Sequence, residues 1–151
     1  MREAFVFEKL DTHLGELLEL VERCPANKRN IVPEGFKNNL HWQIGHVLTV
    51  TEFHVYGLSD QNETLSANYQ TFFANGTKPT DWQEEPPAWD LLIDQLNEQH
   101  NRIRESLKDK LEVPVKENFL KAETIGELIV STVLHIVNHV GIITAMLKVL
   151  K

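Results

Sequence analysis

Between residues 128 and 147 the chain carries no Asp, Glu, Lys or Arg, and this run constrains the fold more than any other stretch. It is long enough to cross a bilayer. Yet Ser131, Thr132, His135, Asn138 and His139 lie inside it, and polar groups within a membrane are expensive. The cheaper solution is a helix covered on most sides by its own bundle and by a partner chain. Ile125, Leu128, Thr132, His135, His139, Ile142, Met146 and Val149 then repeat every three or four residues as an inward stripe. Two histidines thus occupy positions that would normally be leucine or isoleucine.

Three more helical patterns precede this one, and no stretch alternates as a strand would. The first covers residues 2–24, through Phe7, Leu10, Leu14, Leu17, Val21 and Cys24, and Pro25 stops it. The second follows Pro33 and covers residues 35–58, with Trp42, His46, Val50 and Phe53 on one stripe. The third covers residues 87–111, through Trp89, Leu92, Leu96, Ile103 and Leu107. The fourth opens on Thr124 and Glu127, a capping box that satisfies orphan amides at the helix start. Between the second and third patterns lies a long link, residues 59–86, with a short helix expected over 65–73. A link this long permits a crossover in place of a tight hairpin. The expected fold is therefore all-α, a four-helix bundle with a long crossover between its second and third long helices, in one domain over residues 1–151.

Charge excludes one class of partner. The formal net charge is −7 and the 15 basic residues are scattered, so no basic stripe exists to track phosphates. Cys24 is the only cysteine, which forbids an internal disulfide and suits the cytoplasm. The opening residues alternate charge with apolar groups and lack a signal-peptide core.

The chemistry lies in the histidines. His135 and His139 are four apart, which on a helix brings their β-carbons to about 5–6 Å on one face. Two imidazoles so placed can chelate one ion. His46, between Trp42 and Val50, has the same inward register on the second helix. An interior imidazole without a partner is costly. Either the three hold a metal, or they are core histidines bonded to backbone or to Gln43, Asn138 and Gln99. Three inward histidines from two helices favour a metal site with one corner free, the pattern of catalytic centres. Imidazole suits zinc or nickel first, and also iron or copper. The other histidines, His13, His41, His54 and His100, fall beside the stripes, as does Glu52. Tyr56 is a candidate proton donor at the pocket mouth, and Cys24 a small buried hydrophobe.

Three segments, NNLHWQIGHVL, FFANGTKPTDW and TIGELIVSTVLHIVNHVGII, resemble the DinB-like superfamily. With the helix order, the resemblance spans essentially the whole chain. It implies a four-helix bundle with a long crossover, often a homodimer. It also implies a divalent metal held by one histidine of the second helix and an H-x-x-x-H pair of the last. Those motif positions are His46, His135 and His139, the set that periodicity selects, and Gly141 also matches. Val140 and Ile142 depart from the family, where many members carry arginine and glutamine.

The superfamily includes S-transferases that use low-molecular-weight thiols such as bacillithiol, and a mycothiol-dependent isomerase. The resemblance therefore implies a metal-dependent thiol S-transferase acting on a small molecule, and the same open site could instead activate water as a hydrolase. An acidic thiol would require positive side chains at the pocket rim, and sequence alone does not place candidates such as Lys78 there. The alternative is a non-enzymatic dimeric module that binds a metal or small ligand.

Overall fold

Apolar residues three and four apart make α1 (Glu3–Glu22), which buries Val6, Phe7, Leu10, Leu14, Leu17 and Val21. In the computed structural model, which describes residues 1–151, four further helices follow and there are no strands. They are α2 (Leu40–Glu52), α3 (Asn68–Phe73), α4 (Trp89–Leu107) and α5 (Ile125–Val149). α1 packs against α4 and α5, and α2 packs against α3, α4 and α5. One continuous cluster of buried apolar side chains runs between them.

α2 begins five residues later than periodicity suggests. Gly35 has φ +88°, a left-handed conformation that a helix cannot run through. Asn39 instead caps the helix, its side chain accepting from the Trp42 amide at 2.8 Å. At its other end α2 passes into a π-helical turn, Phe53–Gly57, closed by the Leu58 amide on the Phe53 carbonyl at 2.9 Å. That wider turn rotates the residues after it relative to an α-helix.

A single inward stripe on α2 is also too narrow a description. Every residue from Leu40 to Glu52 is buried except Val50. α3 and the link that follows it cover the face that would otherwise meet water, so His41, Gln43, His46 and Glu52 must all find partners inside the protein.

α3 is held by its own carbonyls. The Trp82 indole donates to the Phe72 carbonyl at 3.0 Å, and the Thr77 hydroxyl sits 2.7 Å from the Ala74 carbonyl. The Trp42 indole in turn donates to Thr77 at 2.9 Å, tying the link to α2. Gly45 makes the close approach possible, because a methyl there would run into the Phe73 ring. Thus FFANGTKPTDW is a clamp on the end of α3, placed on the face of α2 that carries His46.

On α5 the buried face keeps Ile125, Leu128, Thr132, His139 and Met146 of the expected stripe but spreads to one side of it. Ile129, Val133, Ile136 and Ile143 are buried, whereas Ile142 is partly covered and Val149 is 52% exposed. Leu134 and Val137 also face out. The core face is centred about one residue over, which leaves His135 at its edge. α5 is also the one helix long and apolar enough to cross a membrane by length and composition. At its start the Thr124 hydroxyl accepts from the Glu127 amide at 3.2 Å. The Glu127 carboxylate accepts from Glu123, one residue before the cap.

Candidate metal centre

α2 and α5 bring His46, His135 and His139 together. The ring centroids of His46 lie 5.1 Å from His135 and 4.8 Å from His139. Those of His135 and His139 are 4.4 Å apart. One ligand atom from each falls within 4.8 Å of the others, so the three could hold one metal ion. The Nε2 atoms of His46 and His135 are 3.2 Å apart. Two nitrogens bound tetrahedrally to one zinc ion would be separated by about 3.3 Å.

Hydrogen bonds decide which nitrogens are free. His46 Nδ1 is 2.7 Å from the Phe73 carbonyl, which can only accept, so Nδ1 carries the proton and Nε2 keeps its lone pair. His139 Nδ1 donates to Gln43 Oε1 at 2.6 Å. The Gln43 amide is oriented by its own donation to Asn38 Oδ1 at 2.9 Å. Carbonyl or amide oxygens behind two ligating imidazoles are the usual outer support of a metal site. His135 differs. Its buried Nδ1 has no partner, and its Nε2 faces the lone pair of His46. A metal ion taking both Nε2 lone pairs would replace the one hydrogen bond that His135 Nε2–H can make to His46, so the donor set fits a metal.

Protonation agrees. Burial, then the neighbouring His139, His46 and His54, pull the His135 pKa down to about 3. Burial and His46 pull His139 to about 4. Burial also lowers His46, although its bond to Phe73 works the other way. All three are neutral near pH 7, the form that ligates. The Trp42 ring stacks on His46 at 4.4 Å and 12°, fixing the imidazole plane.

The site opens into a cleft of about 850 Å³. Its lining includes Phe36, Lys37, Asn38, Val50, Phe53, His54, Phe119, Asn138 and Ile142. No Asp or Glu is among its lining residues. Lys37 is the charged side chain in the lining, and Lys78 is not part of it.

Several residues take roles that spacing does not show. His54 lies in the cleft wall, within the π-helical turn, its ring 6.3 Å from His135. Tyr56 does not reach the cleft. It is buried with its hydroxyl 3.0 Å from Ser106 and its ring under the Arg102 guanidinium. His41 is structural, 2.7 Å from the Pro87 carbonyl at the start of α4. His100 sits 2.5 Å from Asp11, away from the three-histidine group. Cys24 is a buried free thiol, as expected.

Glu52 is invisible to periodicity because its partner is fifty residues away. It is 1% exposed and pairs with Arg102 at 2.6 Å. Gln99 also donates to it, at 3.0 Å, and to the Leu48 carbonyl. Burial pushes its carboxyl up, but hydrogen bonds from Arg102, Thr64 and Gln99 and the guanidinium charge leave the pKa lowered.

Helices alone, with three convergent imidazoles between two of them, define the class of small helical proteins able to hold a metal ion. The chain matches the DinB superfamily over residues 9–143 and belongs to it. No curated protein matches the chain.

Proposed function

We propose that the chain is a divalent-metal-dependent enzyme that transfers a low-molecular-weight thiol to an electrophile in the cleft of His46, His135 and His139. One observation carries this reading. Three neutral imidazoles converge beside an open cleft, as catalytic sites do, whereas structural zinc sites are closed by a fourth ligand. A divalent ion there, zinc or nickel first and iron or copper next, would supply a lowered thiol pKa without a protein base. Hydrolysis is the second branch, because no carboxylate lines the cleft to take a proton from water.

The chain's own residues provide the rest. Gln43 and the Phe73 carbonyl hold two imidazoles, and Lys37 draws an anionic thiol toward the rim. The test is elemental analysis of the purified protein, followed by assays of aryl halides and epoxides with and without a low-molecular-weight thiol. Thiol-dependent turnover that disappears in His135→Ala supports the reading, and thiol-independent hydrolysis replaces it with the second branch. Bound metal without any turnover favours a non-enzymatic metal- or ligand-binding module. The apolar Val140 and Ile142, where relatives often carry arginine and glutamine, are the feature that supports that alternative.

The same reading takes residues 1–151 as one domain and the four long helices as a four-helix bundle with residues 59–86 as its crossover. The packing of α1 and α2 each against α4 and α5 supports it. Exposed Leu134 and Val137 on α5 support a homodimer, which sedimentation would reveal and Leu134→Glu would weaken. The lone free Cys24 supports the cytoplasm as its compartment.

A further inference from the structure

One end of the cleft is built from exposed aromatic rings. Phe119, in the link between α4 and α5, is 66% exposed, and Phe53 is 37% exposed. Single exposed apolar residues are ordinary on a protein surface. These two are paired, with rings parallel to within 12° at 6.3 Å, and the His54 ring stands edge-on to Phe119 at 5.4 Å. Nor is the Phe119 loop slack. The Asn118 side chain accepts from the Leu120 and Ala122 amides and donates to the Lys116 and Ala122 carbonyls. A rigid loop thus presents an apolar ring to water at the mouth of a cleft.

Contacts place the rest of the lining in order. Asn38 bonds Gln43, Gln43 bonds His139, His139 adjoins His135, and His135 adjoins His54 and then Phe119. Lys37 precedes Asn38 at the far end, and no carboxylate lines the path between. In a chain of net charge −7, a cleft lined by a lysine and no acid is electropositive against its surroundings.

We propose that the cleft takes a small amphiphilic anion, its planar aromatic group on Phe53 and Phe119 and its anionic group toward Lys37. The middle of such a ligand lies across His46, His135 and His139. The volume of about 850 Å³ suits a molecule of this size. This inference rests on reading the three-histidine cleft as the substrate site.

The test is calorimetric titration of the full chain, metal-free and zinc-supplemented, with phenylacetate, 4-phenylbutyrate, 6-phenylhexanoate, hexanoate and 6-phenylhexanol. 6-Phenylhexanoate should bind tightest. Phe119→Ala should weaken it about three- to ten-fold and leave hexanoate unchanged, since an aromatic contact of this kind is lost. Lys37→Gln should weaken the carboxylates several-fold, less so at high salt, and leave the alcohol unchanged. Equal affinity for hexanoate and 6-phenylhexanoate, or an unaltered affinity in Phe119→Ala, overturns the proposal. If zinc fails to bind while Phe119-dependent binding persists, the metal reading falls and this one stands. If zinc binds but no Phe119-dependent binding appears, this one falls alone.

Discussion

Six residues apart on α2, His46 and Glu52 are both buried, yet they sit in opposite kinds of polar cluster. Glu52 faces α4, where Arg102 and Gln99 supply charge and hydrogen bonds. Arg102 adds Glu98 at 3.1 Å and lies over the Tyr56 ring, although its Nη1 has no hydrogen-bond partner. The polar atoms of that cluster largely answer one another. His46 faces α5, where its free Nε2 can accept only from His135 Nε2, and His135 Nδ1 has no partner. The first cluster is closed by protein atoms except at Arg102 Nη1. The second has the donor set to hold a metal ion, and burial alone does not distinguish the two.

The comparison breaks most sharply at a ligand. His135→Ala should lower zinc affinity by more than about a thousandfold, beyond the 10- to 100-fold cost of an outer-shell change. In the metal-free protein the same change should lower unfolding free energy by no more than about 1.5 kcal/mol, since the one bond lost is the long contact of 3.2 Å to His46. A large metal-free destabilisation would show that His135 is held by the fold and not for an ion. Titration calorimetry and urea unfolding on the same samples give both numbers.

Next comes the other cluster. Arg102→Met strands the Glu52 carboxylate in the core and should cost about 3–5 kcal/mol in urea unfolding, with zinc affinity unchanged. The double change Arg102→Met with Glu52→Leu should recover most of that loss, because the stranded charge is removed with its partner. Failure of the recovery would mean that shape, not charge, matters there.

A smaller effect sharpens the boundary between the clusters. Gln43→Ala frees the His139 ring and removes its acceptor, so zinc affinity should fall about 10- to 100-fold with little change in metal-free stability. An unchanged affinity would assign Gln43 to packing.

The gentlest probe is acid. The folded Glu52 pKa is depressed, so its contribution to stability is complete above its unfolded value near 4.5. As pH falls through the folded value, that contribution is lost. Unfolding free energy of the protein should therefore drop below about pH 4.5 more steeply than that of Glu52→Gln. Parallel pH profiles would place the acid sensitivity elsewhere.

Much of the site is legible in the spacing of its residues. His46, His135 and His139 repeat with the apolar residues around them, and helical geometry turns that repetition into convergence. α1 likewise buries the residues its spacing picks out. Spacing fails where a partner lies far along the chain. It points Glu52 away from the core because α3 and α4 are not local to α2, yet they cover it. Tyr56 lies in the core and not at the pocket mouth, and His54 joins the cleft wall, both within a π-helical turn that no periodicity of 3.6 anticipates.

Three inward histidines, an all-helical chain and a capped last helix with a charge-free run over 128–147 are thus determined by local spacing, because side-chain direction on a helix follows from residue number. Which imidazole nitrogens are free is decided only in three dimensions. The Phe73 carbonyl and the Gln43 amide set the tautomers of His46 and His139, and the clamp of Thr77 and Trp82 puts that carbonyl within reach. A hydrogen bond depends on distances set by packing between segments, and no repeat within one segment contains them.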